Sequence, residues 1–403
     1  MKYKLRFLGF FVAMTLFHLA ASFAHPVTPT IIQDLGLHDY MFGLMLATMM
    51  LANFLLSPFW GRINLYISSR QSLLICCVGY GVAQIWFCYA TTEPVILVAR
   101  LLAGVFIGGI FVSLLTYVVN VAKPEDQGKF LAYSATIHSV AGAFGYLIGG
   151  VIGEFSVTGA FLAQAGTLCA AGILFRVACE PDAQTQKALP MGELAKAANP
   201  LKAFIDAKHF MNMAFVLLFA VNILIIFGNT GFDLVFNYYL MDQLGLTSSY
   251  NGIIKAAVGL VSFVSNMTLC LWIIRKTDNK CSMVALTAVC TLAALGTVVS
   301  QKIGVFIFYS VLVYAGYSVS LPVLQNMVAK QADPAQKNLV MGFYNASKSL
   351  GSICGSLCAG FVYGIHVKLP FICIVAIYGL SVVAAAFYWL YIRKNPKESD
   401  RSL

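Results

Sequence analysis

Runs of about twenty apolar residues recur along the whole chain, and no other feature constrains its fold as strongly. They lie at Phe7–Thr30, Met41–Trp60, Gln71–Ala90, Pro94–Val121, Phe130–Ile152, Val157–Cys179, Met211–Leu240, Tyr250–Ile274, Ser282–Val299, Gly304–Met327, Leu339–Tyr363 and Leu369–Ile392. A helix of that length crosses the hydrocarbon layer of a bilayer, and each run must satisfy its own backbone there, because lipid offers no hydrogen bonds. Strands of a membrane barrel would be shorter and would alternate polar with apolar residues. These runs do not alternate. The expected fold is therefore all-α, with about twelve transmembrane helices. Composition agrees: 10% of the 403 residues are charged, against about 25% in a soluble domain.

Lysine and arginine set the orientation, because they concentrate on the cytoplasmic side. One set of ends carries Lys2, Lys4 and Arg6; Arg62 and Arg70; Lys123 and Lys129; Arg176 to Lys208; Arg275, Lys276 and Lys280; Lys330 and Lys337; and Arg393 to Arg401. The opposite loops hold Lys302 and Lys368, and Arg100, Lys255 and Lys348 fall within spans. Both termini are thus expected in the cytoplasm. A signal peptide is the competing reading of the N-terminus, since Ser22-Phe23-Ala24 follows a basic start. Its removal would leave an odd number of spans and place the termini on opposite sides, which the charge alternation opposes. The net charge of +10 belongs to this topology and not to a nucleic-acid face. The 11 cysteines lie mostly inside apolar spans without zinc-ligand spacing and read as packing residues.

The two halves repeat. Leu35-Gly36-Leu37 followed by Gly43 recurs as Leu244-Gly245-Leu246 followed by Gly252, 209 positions later. Pro124, Gly145 and Gly150 recur as Pro334, Gly355 and Gly360, 210 positions later. Two pseudo-twofold-related six-helix bundles follow, residues 1–179 and 211–403. The connection 180–210 holds Pro181, Pro190 and Pro200 and reads as a cytoplasmic linker. Within it, Asn199-Pro200 ahead of Leu201, Phe204 and Ile205 suggests a short helix on the membrane surface.

This organisation resembles the major facilitator superfamily over almost the whole chain. Local motifs are most similar to its drug:proton antiporter branch. Pro26-Val-Thr-Pro29 closes the first span, and Arg100-Leu-Leu-Ala-Gly104 matches the family's arginine motif in the fourth. Gly145-Tyr-Leu-Ile-Gly149-Gly150 is similar to the antiporter motif of the fifth, with Tyr146 where a proline is expected. The loop after the second span begins Pro58-Phe-Trp-Gly61-Arg62 and keeps Arg70, but Leu65 stands where the family has an aspartate. The resemblance implies that this loop latches the cytoplasmic gate, here weakened or rebuilt, for instance through Asn64. It also implies alternating access, a proton gradient as the energy source with no cofactor, and a monomer in the plasma (inner) membrane.

Polar groups embedded in apolar spans mark candidate sites, since a charge at that depth is costly and faces a partner or a cavity. Lys348 is the sharpest case, near the middle of the eleventh span and followed by Gly351 and Gly355 at helix-packing spacing. His138 is its counterpart under the repeat, and His18 lies near mid-depth in the first span. Asn222, Asn229, Tyr314, Tyr317 and Asn345 are candidate cavity-lining groups, or else hydrogen bonds between helices. Arg100 has a role in proton coupling by resemblance, or an outer-gate ion pair as the plain alternative. Asp233 and Lys255 fall at similar depth and are expected to pair. His25 and Glu154 are expected nearer the outer surface.

These groups suggest a secondary transporter of a small organic molecule. The motifs favour proton-coupled efflux of amphipathic compounds. The positive bias of Lys348, His138 and His18 favours an organic anion instead, and a lysine in the eleventh span is also similar to the oxalate–formate exchanger branch. An enzyme is disfavoured, because no serine or cysteine has a plausible base and orienting group. A phosphate-cradling loop and a selectivity filter are likewise missing from the sequence, which disfavours an ATP-driven pump and a channel.

Overall fold

The computed structural model describes residues 2–64, 67–182, 211–332 and 337–395. All regular structure among them is helical. The helices are α1 (Lys2–Ala21), α2 (Thr28–Asp34), α3 (Met41–Ile63), α4 (Ser69–Tyr89), α5 (Glu93–Val121), α6 (Pro124–Phe155), α7 (Val157–Ala178), α8 (Met213–Asp242), α9 (Ser248–Lys276), α10 (Asn279–Val299), α11 (Ile303–Gln331), α12 (Lys337–Tyr363) and α13 (Leu369–Lys394). Among the described residues nine are long and apolar enough to cross a membrane, with α5 at a mean hydropathy of 2.5. Helices α1, α3 and α12 complete the expected twelve, and α2 is a short addition. The chain is an all-α membrane protein.

The first expected span breaks where proline demands it. Pro26 has no amide hydrogen and disfavours helical geometry at His25. Accordingly α1 ends at Ala21 and passes through three-residue turns, Ser22 N to Leu19 O (3.2 Å) and Phe23 N to Ala20 O (3.1 Å), before Pro29 opens α2. In α9 the regular ladder is interrupted by a π-helical turn at Asn266–Cys270.

The sequence repeat reappears as a backbone repeat. Gly36 and Gly245 are the positive-φ residues of the described chain, at 60° and 62°. Each closes a helix, and the amide that follows it turns back to a carbonyl of the last turn: Leu37 N to Ile32 O (3.0 Å) and Leu246 N to Leu240 O (2.9 Å). Only glycine adopts that left-handed geometry without strain.

Packing divides the chain into two compact units. One comprises residues 1–200 with 240–260, and the other 201–239 with 261–403. The core of the first is aromatic, with Phe10 stacked on Tyr117 at 4.8 Å and the tilted rings of Phe7 and Phe130 4.2 Å apart. In the second, Phe219 meets Phe343 at 4.8 Å beside buried Leu324 and Tyr388. Large apolar side chains also face outward, among them Leu292, Val299 and Phe387. A water-facing surface seldom carries so many large exposed apolar groups, whereas a lipid-facing one favours them.

Glycine sets the closest approaches within each unit. A side chain at Gly145 or Gly149 of α6 would strike the carbonyl oxygens of Leu19 or Phe23 on the α1 side. In the other unit, Gly351 and Gly355 of α12 face the carbonyls of Ile223 and Phe227 of α8 in the same way. The four-residue spacing of Gly351 and Gly355 thus serves close helix contact, as expected of small residues in lipid.

Candidate functional site

In the first unit the two embedded histidines meet. His18 of α1 and His138 of α6 face each other with Nδ1 to Nδ1 at 3.0 Å and ring centroids 4.6 Å apart. Phe17 and Phe111 wall the pair, and Phe111 lies nearly parallel to His18 at 6.4 Å. His18 is buried at 4% exposure while His138 is exposed. At that separation one Nδ1 must donate and the other accept, so the rings hold different tautomers when both are neutral.

Arg100 of α5 is held by groups that sequence reasoning passed over. Its Nη1 donates to Gln84 Oε1 at 3.2 Å, and its guanidinium lies 3.8 Å from the Phe87 ring centroid. Gln84 Nε2 in turn donates to Gln164 Oε1 (2.9 Å) and Tyr80 Oη (3.3 Å), and Gln164 Nε2 to the carbonyl of Ala21 (3.2 Å). The chain of amides ties α5, α4, α7 and α1 together around a buried cation. Among the described residues Arg100 has no carboxylate partner. Both glutamines were visible as polar interruptions of apolar spans, but a search for charge alone misses them.

At one end of the unit, Tyr146 takes a stacking role in the position where the resemblance expects proline. His25 lies parallel to its ring at 5.3 Å, and Lys255 Nζ sits 5.4 Å from the same centroid. Thr247 donates to Glu154 Oε1, bridging α6 to the turn before α9. A second tie joins His38 Nδ1 and Glu93 Oε1 at 2.8 Å, with Tyr40 Oη donating to Glu93 Oε2 at 3.0 Å. That bond, which holds the phenol in its neutral form, raises the Tyr40 pKa.

At the other end, Asn64 exchanges hydrogen bonds with Ser113 of α5, at 3.1 and 3.3 Å. Arg70 Nη1 donates to the Cys179 carbonyl at 3.1 Å. Asp182 is buried against the start of α4, accepting from Ser69 N (3.0 Å), from Ser69 Oγ and from Asn120 Nδ2 (3.3 Å). A carboxylate at a helix N-terminus meets unpaired amides and the positive end of the dipole.

The second unit places Lys348 half-buried on α12, with no hydrogen bond or ion pair among the described residues. Asn222 of α8 donates to Ser347 Oγ (2.7 Å), next to Lys348 in sequence, and to the Tyr344 carbonyl (3.1 Å), so it joins α8 to α12. Asp233 accepts from Tyr314 Oη at 2.8 Å and from Asn237 Nδ2 at 3.3 Å. Asn229 has a buried Oδ1 without a partner among the described residues. Tyr317 is half-buried near Asp233 and Tyr344. The side chains of Gly61's neighbour Arg62 and of Asn345 lie outside the described residues, as do Leu65 and the whole of 183–210.

Comparison with known proteins decides the family. The model of the Major Facilitator Superfamily matches residues 10–309 and 281–403. The chain belongs to the Major Facilitator Superfamily. Among curated relatives it is 20% identical over 349 residues to Multidrug resistance protein 2 of Bacillus subtilis (strain 168), covering 86% of each chain. It is 22% identical over 356 residues to Quinolone resistance protein NorA of Staphylococcus aureus (strain MRSA252), again 86% of each. In fold it is similar to the crystal structure of a bacterial homolog of the human lysosomal transporter Spinster, with a TM-score of 0.75, 13% identity and 98% of both chains covered. This member of the superfamily is a multi-pass membrane transporter of small molecules and not an enzyme. Its relatives fall in the drug:proton antiporter branch, in keeping with the Pro26–Pro29 and Arg100–Gly104 motifs.

Proposed function

We propose that this transporter expels amphipathic organic compounds across the plasma membrane in exchange for protons. The observation that carries the reading is the His18–His138 pair. Imidazole is the side chain whose ordinary pKa, about 6.5, falls where a cell's proton gradient operates. Here two of them touch inside the helices of one unit. The relatives' names, multidrug and quinolone resistance, favour drug-like cargo and outward movement. On this reading both termini face the cytoplasm, the protein works as a monomer, and a proton gradient is the only energy source it needs. Arg100 and the Tyr146–Lys255 contact then act in coupling and gating, with Gly61, Arg62 and Arg70 at the cytoplasmic latch.

Ethidium uptake into everted membrane vesicles tests this. Imposing an acid interior should drive accumulation, and a protonophore should collapse it. Coupling between two ligands is typically about 1–3 kcal/mol, so His138→Gln should weaken the pH dependence by at least roughly fivefold. Uptake indifferent to the protonophore would rule out the exchange reading.

A second reading, transport or exchange of an organic carboxylate, is favoured by Lys348. A half-buried ammonium without an acidic partner among the described residues is a place where a substrate anion would supply the missing charge. Under that reading Lys348→Gln abolishes transport and thermal stabilisation by carboxylates while leaving ethidium uptake intact. If every anionic probe behaves alike on both proteins, the anion reading fails.

A further inference from the structure

We propose that the second unit binds the headgroup of an anionic phospholipid, in a cavity where the last turns of α9, α11 and α13 meet the start of α10. The cavity measures about 260 Å³. Lys280 of α10 and Lys330 of α11 bring positive charge to it, while Ile274 of α9, Met327 of α11 and Tyr388 of α13 form apolar walls. Sites that enclose a drug-sized molecule run from roughly 300 to 1,000 Å³. This one is smaller and suits a headgroup better than a transported compound. Its lining includes neither histidine of the His18–His138 pair nor Lys348, so the site stands whether or not the exchange reading holds.

The charges of the lining leave a positive balance. Asp278 also faces the cavity, and its Oδ1 accepts from the Lys280 amide at 3.0 Å as the cap of α10. One carboxylate against two ammonium groups leaves one positive charge, which a phosphodiester matches. Lys330 is exposed, with no hydrogen bond or ion pair among the described residues. Arg275 and Lys276 close α9 just before the turn and add two cations to the approach. Because Asp278 already caps α10, a bare helix end is not what attracts the anion. Asn279, in the same wall, keeps a buried Oδ1 without a hydrogen-bond partner among the described residues. Buried acceptors are normally satisfied, and a headgroup hydroxyl would donate to this one. A phosphate for the lysines together with a hydroxyl for the amide describes phosphatidylglycerol better than a zwitterionic choline lipid.

The same helices carry apolar surface away from the cavity. Leu271, one turn before Ile274 on α9, is exposed, and so is Trp272. Phe387 and Leu390, on either side of Tyr388 in α13, are exposed as well. Tryptophan is enriched where a membrane meets water. A phosphate held by Lys280 and Lys330 thus has apolar surface beside it, along which acyl chains can lie. A free phosphate would gain nothing from that surface. Basic cavities between transmembrane helices on the cytoplasmic side bind anionic headgroups, and the distribution of lysine and arginine leads one to expect this end there.

Native mass spectrometry of the full-length protein with added lipid tests the site. Phosphatidylglycerol should bind as one tight adduct, and phosphatidylcholine of the same chain length should not. A lysine near a membrane surface contributes about fivefold to the binding of anionic lipid. Lys280→Gln and Lys330→Gln should therefore each weaken the adduct about fivefold, and the double variant about twenty-five-fold. Lys302→Gln and Lys368→Gln, in the opposite loops, should leave it unchanged. In the wild type, which needs no variant to fold, a phosphatidylglycerol with a photoreactive headgroup should crosslink to residues 274–280 and 327–330. Equal binding of the two lipids, an adduct indifferent to the double variant, or crosslinks confined to other segments would overturn the site. Glycerol phosphate separates the two sources of the anion. Competition at the same concentration as the lipid would make this a site for soluble phosphate and end the lipid assignment, whereas failure to compete supports it.

Discussion

Gln84 shows how much a neutral side chain can matter in lipid. It is 1% exposed and holds Arg100, Tyr80 and Gln164 at once. Replacing it with leucine roughly keeps the volume but, among the described residues, leaves the guanidinium against the Phe87 ring without its hydrogen bond. A hydrogen bond to a buried charged group contributes about 1.5–3 kcal/mol, so Gln84→Leu should lower the midpoint of thermal unfolding in detergent measurably. Asn222→Ala should cost less, near the ~0.6 kcal/mol average for polar contacts between membrane helices. Equal shifts would mean that Arg100 does not depend on the amide. This ranking was not readable from the sequence. His18, His138, Arg100 and Lys348 announced themselves because a charge or an imidazole stands out in an apolar run. The sequence placed His18 and His138 in separate spans without saying that their rings touch. Gln84, Gln164 and Asp182 carry as much structure, yet nothing about an uncharged amide, or an aspartate just past a span, reveals which partner it finds.

At the scale of the helices, glycine explains why α1 and α6 pair in one unit and α8 and α12 in the other. Each approach is so close that a methyl group at Gly145 or Gly355 would overlap a backbone carbonyl oxygen, which has no rotamer by which to move aside. Overpacking of this kind costs about 1–3 kcal/mol or more. Gly145→Val and Gly355→Val should therefore reduce folded protein after solubilisation, read as the monodisperse peak in size exclusion. Gly166→Ala and Gly379→Ala, where nothing lies within 4 Å, should behave as wild type. Should all four variants elute alike, the close approach would not be what holds these pairs. The spacing of Gly351 and Gly355 and the offset of 209 between Gly36 and Gly245 made the glycine repeat legible in advance. The break in α1 and the π-helical turn in α9 were harder, because hydropathy counts apolar residues and is blind to backbone hydrogen bonds.

For the whole molecule, orientation rests on which loops carry lysine and arginine. The basic clusters Arg275, Lys276 and Lys280, at the junction of α9 and α10, and Arg393 and Lys394, at the end of α13, stand apart from the loops at Lys302 and Lys368 by one membrane crossing each. Positive residues are retained on the cytoplasmic side because moving them through the bilayer during insertion is costly. By the same rule the start of α4, with Arg70 and Asp182, is expected in the cytoplasm and the Glu93–His38–Tyr40 tie outside. A green fluorescent protein fused after Leu403 should then fluoresce, since it folds in the cytoplasm, and alkaline phosphatase inserted at Lys302 should be active, since it needs the outside. Cys281 supplies an independent check. It is exposed beside the basic cluster Lys276–Lys280, so an impermeant maleimide should label it in everted vesicles and spare it in intact cells. Labelling from outside would invert the molecule.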